Sequence, residues 1–419
     1  MAQVSPLTIY RARWVVPVSG PPLEAGAVCC YEDAIVEVGP AGEVLASRSG
    51  RVVDLGDGVL MPALVNCHSH LELSFLKWRM EPSGSFTGWV RRLMELRGQA
   101  EIQEVLGAAQ EGLEEMASSG IGACHDVGNS LVLATLADKL SQEGVDQPLE
   151  RAISALELIA PLEAEAPRVL PMLNRAPQLH GKGAVAASFS AHAGFTLAPS
   201  LIKAVKEWTK RHRLPFSIHA AESPEEMEFF ADRSGPMAEL LRERGHWPLD
   251  WRPAGPTPVA HLHRLGVLDP STILVHCCHL DRSDLELMAG HGVSACLCPR
   301  SNTFIGVGRP DVEELFRAGV RVCLGTDSLA SNDRLSLWHE MAALASWAPG
   351  LPPERLLEAA TLNGAKALGM EGAMGSLAPG RSARMVLVTG DGVPSRPREL
   401  LEWLVHAPAR DQAQVEVIR

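Results

Sequence analysis

The residue order predicts an α/β chain, a (β/α)8 TIM-like barrel with a small β-sandwich domain built from both chain ends. Three observations predict it. Eight short apolar runs recur through the middle of the chain. Longer segments between them carry apolar residues at three- and four-residue spacing, as helices covering a sheet require. Both ends change to short β-type runs broken by Gly and Pro. Strands alternating with such helices indicate parallel βαβ units. Eight in succession favour a closed barrel, although an open, doubly wound sheet has the same pattern.

Taken in order, LTIYRARWVV, AVCCYED and AIVEVG are the first strand candidates, parted by turn pieces such as SGPP. The middle runs are VLMPALVN, IGACHDV, ERAISALEL, AVAASFSA, PFSIHA, STILVHC, GVSACLC and VRVCLGT. FTGWVRRLMELR, QEVLGAAQEGLEEMASS, PSLIKAVKEWTKRH and DVEELFRAG read as helices among them. The close, GSLAPGRSARMVLVTG, is a Pro-Gly turn leading into an apolar strand. The expected division is a small β domain over 1–58 and 372–419, with the barrel over 59–371.

Composition narrows the function. Lys and Arg number 38 against 50 Asp and Glu, a net charge of −12. A nucleic-acid binder would show a basic stripe instead. No apolar run approaches the ~18 residues of a membrane span, and MAQVSPLTIYRARWVVPVSG lacks a signal pattern. Nine scattered cysteines do not read as a disulfide framework and suit reduced thiols in a cytoplasm.

Reactive side chains gather where the middle runs end, the rim on which barrel enzymes hold their sites. His68 and His70 follow VLMPALVN, His219 follows PFSI with Glu222 three residues on, His276 follows STILV, and Asp327 follows VRVCLGT. Residues i and i+2 of a strand share a side, so His68 and His70 can hold one ion, zinc or iron by ligand type. The plain alternative is two unrelated loop histidines. His219 and Asp327 add a nitrogen and a carboxylate, completing an open site with room for water. Other chemistries test poorly. There is no GxGxxG, GxxxxGK[ST] or GxSxG, and His339-Glu340 misses HExxH because Ala343 stands at its last position. The small zinc deaminase signature is absent too.

MPALVNCHSHLELS, SIHAAES, LVHCCHL and LGTDSLASNDRLSLWHEM together resemble the strand-end motifs of the amidohydrolase superfamily. The likeness is to its aminohydrolase branch of cytosine, guanine and S-adenosylhomocysteine deaminases and triazine chlorohydrolases. It implies His68, His70, His219 and Asp327 as ligands of one divalent metal, zinc before iron or manganese. Glu222 and His276, with Asp327, would be the catalytic groups. No bridging lysine stands near His125 or Ser190. Ala63 and Arg384 depart from the pattern, in loop and β-domain positions. SFSAHAGFT resembles a segment whose histidine faces substrate, here His192, with Gly194 where Pro is usual; the alternative is a hydrogen-bonded structural histidine. His279 reads as structural or surface, and His125 as pocket floor or core. Cys277, Cys278, Cys296 and Cys298 read as small hydrophobes.

The implied reaction is hydrolytic deamination. A bound metal would lower the pKa of water, Asp327 would take the water proton, His276 would orient the hydroxide or stabilise the developing charge, Glu222 would protonate a ring nitrogen, and a proton passed to the amino group would let ammonia leave. The most similar substrates are adenosine-like nucleosides: aminodeoxyfutalosine, S-adenosylhomocysteine or methylthioadenosine. Guanine, cytosine or a triazine, the last by dechlorination, is the alternative. A non-catalytic binding protein is the reading from another class, against which every ligand position is filled. The segment from Leu71 to Arg97, with Phe75, Trp78, Phe86 and Trp89, should overhang the pocket. Trp89 is its candidate substrate contact, against ordinary helix packing. Glu72, two past His70, would face the pocket if the strand persists and accept hydrogen bonds from ribose or a ring N–H; otherwise it pairs with Lys77 or Arg79. The partners expected are a small heterocycle and water, with neither nucleic acid nor membrane, in a homodimer or higher homo-oligomer.

Overall fold

All eight middle runs form strands in the computed structural model, which describes residues 7–175 and 185–418. The opening MAQVSP and Ala184, the first residue of AVAASFSA, lie outside the described residues. The strands are β1 (Leu64–Ser69), β2 (Ile121–Gly128), β3 (Arg151–Leu158), β4 (Val185–Ala191), β5 (Phe216–Ala220), β6 (Thr272–His276), β7 (Ser294–Leu297) and β8 (Arg321–Leu324). They form two four-stranded sheets, β1-β2-β3-β4 and β5-β6-β7-β8. The ladders from β5 to β8 and from β3 to β4 are parallel. β1, β2, β5, β6 and β7 are buried at every position. A parallel sheet is covered on both faces, so its strands read as continuous apolar runs.

Single parallel bridges stand where the two sheets adjoin, Ser69 with Asp327 and Ala193 with His219. The eight strands therefore do not form one unbroken ladder. Helices fall where the spacing predicted: Phe86–Arg97, Ile102–Ser118, Pro199–His212 and Val312–Arg317. Among the described residues, no helix is long and apolar enough to cross a membrane.

The chain makes two compact units. The first runs through Asn66 and returns over Met116–Ala123 and from Ser336 onward; the second is Cys67–Glu115 with Cys124–Leu335. The first holds one seven-stranded mixed sheet. Leu7–Val15 lies at its centre, antiparallel to Leu23–Tyr31 and parallel to Gly50–Asp54 and Val59–Pro62. Val59–Pro62 pairs antiparallel with Met385–Gly390, and that strand with Ala413–Ile418. Strands from both ends of the chain thus lie in one sheet, joined through Val59–Pro62.

The run VLMPALVN divides in two. Val59–Pro62 joins the end sheet, and only the part from Leu64 begins the parallel strands. Pro62 has no N–H for a ladder and so marks a strand end. Sheet faces alternate as the two-residue period requires. Ile9, Ala27 and Cys29 pack in one cluster, with Val44 of a neighbouring helix; Ala12, Val28 and Cys30 pack in another. All nine cysteines are buried, and none forms a disulfide.

Candidate active site

Strand ends in the second unit bring the predicted groups together. His68 is the last residue but one of β1 and is buried, because a continuous apolar strand carries it inward. Its Nε2 lies 3.0 Å from Nε2 of His70 and 3.2 Å from Nε2 of His219. Asp327 Oδ1 stands 3.6 Å from His70 Nε2 and 3.9 Å from His68 Nε2. The close approach of β8 needs Gly325. A Cβ there would meet Cβ of His68 at 2.8 Å and Sγ of Cys296 at 2.9 Å.

Ala221, His276, Cys277 and Asp327 all have positive φ, from 53° to 73°. For non-glycine residues each such conformation costs about 1–3 kcal/mol, a cost concentrated at functional sites. Here it turns strand-end side chains toward one centre.

Hydrogen bonds fix the imidazoles. His219 Nδ1–H donates to the His192 carbonyl at 2.7 Å, which leaves its Nε2 lone pair facing His68. Burial holds His68 and His219 well below the usual histidine range, so both are neutral. Burial opposes charge on His70 too, but Glu157, Asp327, Asp126 and Glu72 together raise its pKa. Three ring nitrogens within 4.8 Å of one another cannot all be satisfied by shared hydrogens, since one hydrogen serves one pair. A cation accepts all three lone pairs, and Asp327 supplies a hard oxygen beside them. The donor set therefore fits a divalent metal. Ser301 and Ser331 both donate to Oδ2 of Asp327, the latter at 3.0 Å, which aims Oδ1 at the imidazoles.

Beside this group stand Glu222 and His276, with Oε1 and Nε2 3.5 Å apart. Glu222 is placed by local sequence. Ser223 caps the helix Pro224–Asp232 through Glu226 N–H, and Pro224 fits its first turn. Glu226 reaches back, accepting the Glu222 N–H at 2.7 Å. Burial raises the Glu222 pKa well above the carboxylate range, helped by Asp327 and Glu226. Burial lowers that of His276, against Asp327 and Asn302. Nδ1–H of His276 donates to Oδ1 of Asn302 at 2.8 Å. A protonated carboxyl thus faces a neutral imidazole.

These groups line a cavity of about 270 Å³ together with Glu72, Trp89, Glu157 and His192. Its far wall is apolar, built by Phe86, Val90, Leu93, Met237, Leu240 and Leu241. The segment after β1 does reach the cavity, through the helix Phe86–Arg97. Trp78 instead is 77% exposed, and Phe75 is core. Trp89 packs in that core cluster while also lining the cavity. His192 lines the cavity and is hydrogen-bonded through Nδ1 to Thr196 Oγ1 at 2.7 Å. His279 bonds the Val307 carbonyl, a structural role, and His125 is fully buried outside the cavity lining.

Glu72 departs from expectation in its geometry. The strand ends at Ser69, and Leu71–Leu76 is a 3-10 helix. Lys77 and Arg79 pair with Glu115 and Glu104 instead. The Glu72 carboxylate accepts from Arg97 at 2.8 Å, from the N–H of Asn129 and Ser130, and from Ser130 Oγ. Sequence reasoning passed over Glu157, Asn302, Ser301, Ser331 and Glu226. Glu157 carried a signal, as a polar residue near the end of ERAISALEL. The others sit on helices and turns that only the fold brings in.

The match to known proteins follows this geometry. The model of the amidohydrolase family matches residues 59–409, so the chain belongs to that family. It is a hydrolase acting on C–N bonds other than peptide bonds. Among its relatives is a 5-methylthioadenosine/S-adenosylhomocysteine deaminase of Moorella thermoacetica, 28% identical over 384 residues, 89% of this chain and 83% of the relative. A crystal structure of an adenosine deaminase from Xanthomonas campestris with bound zinc is 25% identical, with a TM-score of 0.78 over 97% of this chain and 90% of its own. The aminofutalosine deaminase of Helicobacter pylori in complex with methylthio-coformycin, 22% identical, shares the fold with a TM-score of 0.83 over 98% of this chain and 97% of its own.

Proposed function

We propose that this chain is a metal-dependent hydrolytic deaminase of an adenosine-like nucleoside, releasing ammonia from a cyclic amidine. The observation that carries the reading is the Glu222–His276 pair beside the convergent nitrogens of His68, His70 and His219. An amidine carbon needs a proton on its ring nitrogen and a nucleophile at once, and this arrangement offers both.

His68, His70, His219 and Asp327 would hold the ion, zinc by the nitrogen-rich donor set, with iron or manganese as the other candidates. When bound, it supplies a Lewis acid that brings the pKa of water near neutrality. Glu222, kept in its acid form by burial, donates to the ring nitrogen. His276 presents Nε2 to the attacking water, its Nδ1–H tied to Asn302. Asp327, held in place by Ser301 and Ser331, takes the first water proton and returns it to the departing amino group, and the remaining hydroxyl proton goes back to Glu222 as the carbonyl forms. The apolar far wall suits a nucleoside whose 5′ arm is uncharged near the sugar, with Trp89 and His192 as contacts and Glu72 setting the loop after β2.

The finer architecture belongs to the same proposal. The bridges from Ser69 to Asp327 and from Ala193 to His219 support closure of β1 to β8 into a (β/α)8 barrel. Two apolar clusters in the end sheet support a small sandwich. The small domain at 1–58 with 372–419 and the hydrolase domain at 59–371 belong to the proposal, with Val59–Pro62 of the latter segment pairing into the end sheet. A homo-oligomer in the cytoplasm completes the reading; nine cysteines outside any disulfide fit a reducing compartment.

The test is ammonia release from a panel: adenosine, methylthioadenosine, S-adenosylhomocysteine, aminodeoxyfutalosine, guanine, cytosine and a chlorotriazine. The nucleosides should turn over far faster than the bases or the triazine. Chloride release, or preference for a free base, would overturn the substrate class.

A further inference from the structure

We infer that Glu157 recognises the sugar hydroxyls of the nucleoside, an inference that rests on the deaminase reading above. Glu157 stands near the C-terminal end of β3 and lines the cavity. Its side chain is only 6% exposed. Among the described residues, its Oε1 is buried and has no hydrogen-bond partner. A buried polar atom without a partner costs on the order of 1–3 kcal/mol, more when charged. Folding gains nothing from it. A ligand that brings the missing donor removes the cost.

The neighbours do not supply that donor. His219 Nδ1 is 3.7 Å from Oε1, too far for a hydrogen bond, and its hydrogen already serves the His192 carbonyl. His192 Nδ1 is engaged with Thr196 Oγ1. A second cation between Glu157, His192 and His219, whose donor atoms lie within 4.8 Å of one another, would need a lone pair from His219. Its Nδ1 carries the hydrogen, and its Nε2 points to His68. Glu72 accepts from four donors, and Oδ2 of Asp327 accepts from two serines.

Substrate chemistry then identifies the donor. A neutral adenine ring carries N–H only on its exocyclic amino group, which must lie at the reacting centre. The remaining donors of an adenosine-like molecule near the ring are the 2′ and 3′ hydroxyls. A carboxylate has acceptor capacity for both.

The experiment compares wild type and Glu157→Gln, both zinc-loaded, on adenosine, 2′-deoxyadenosine and 3′-deoxyadenosine. Wild type should lose about 10- to 100-fold in kcat/KM on at least one deoxy substrate, as for a hydrogen bond to a charged group. The variant should lose a similar factor on adenosine and discriminate little further. Metal content should be unchanged. Calorimetry with inosine and 2′,3′-dideoxyinosine should show the same pattern in Kd without turnover. Wild type that treats ribose and deoxyribose alike overturns the inference and leaves the deaminase reading standing. A variant that loses metal moves Glu157 to the metal centre and also overturns it. Absence of ammonia from every nucleoside overturns the deaminase reading first, and the inference with it.

Discussion

Glu222 Oε1 faces His276 Nε2 at 3.5 Å, and the two side chains have opposite pKa displacements. Burial disfavours the charged form of each: it keeps the proton on the carboxyl and off the imidazole. A carboxyl that stays protonated at neutral pH can act as a general acid. A neutral imidazole with Nδ1–H fixed by Asn302 has its Nε2 lone pair free to orient water.

Glu222→Gln therefore keeps the shape and removes the acid. Its kcat should fall about 10²- to 10⁴-fold, with metal content unchanged by elemental analysis. The wild-type rate should also decline as pH rises through the raised Glu222 pKa, because the acid form is lost there. A variant with full turnover would remove Glu222 from proton transfer.

Glu226 gives a pH dependence of stability. Burial pushes its pKa up from 4.5 to about 8. Between those values the folded chain holds a proton that the unfolded chain has released, so stability falls as pH rises through the window. Glu226→Gln still offers an oxygen to the Glu222 N–H and has no proton to lose. Thermal melting from about pH 5 to pH 9 should decline less in the variant than in wild type. Parallel curves would show that Glu226 ionises freely in the folded chain.

Gly325→Ala tests how β8 packs on His68. The added Cβ has 2.8 Å to the His68 Cβ and 2.9 Å to its carbonyl oxygen. One of the two must move. Metal affinity, measured by competition with a chelating dye, should weaken by about 10- to 100-fold, the range for disturbed ligand orientation. Wild-type affinity would mean that the strand shifts without moving the histidine.

Glu72→Gln should act through the loop after β2. One carboxylate oxygen becomes an NH2, which cannot accept from the Asn129 or Ser130 donors. We expect a stability loss of about 1–3 kcal/mol by denaturant titration, with kcat/KM lowered alike for nucleosides and free bases. A loss confined to nucleosides, at full stability, would instead place Glu72 on the sugar.

Much of this site was legible in the sequence because it obeys one rule, that polar residues stand where apolar strands end. His68, His70, His219, His276 and Asp327 follow it; the fold brings the last four to one cavity and sets His68 beside Asp327 at its edge. Glu157 follows it as well, but a lone glutamate in an amphipathic run looks like a solvated position. Pairings across the chain were not legible. Nothing local joins Glu72 to Arg97 and Ser130, or Asp327 to Ser301, because these contacts depend on where loops land. The split of VLMPALVN was hidden for another reason. Both halves are fully buried, so hydrophobicity has no minimum at the break, and Pro62 alone marks it.

The most direct test of the account follows methylthioadenosine with the zinc-loaded enzyme in oxygen-18 water, with Glu222→Gln beside it. Wild type should release one ammonia per product formed, and the product should carry one solvent oxygen at the former amino position. The variant, at equal metal content, should form almost none. No ammonia from wild type, product without solvent oxygen, or equal rates in the two proteins would contradict hydrolytic deamination at this centre.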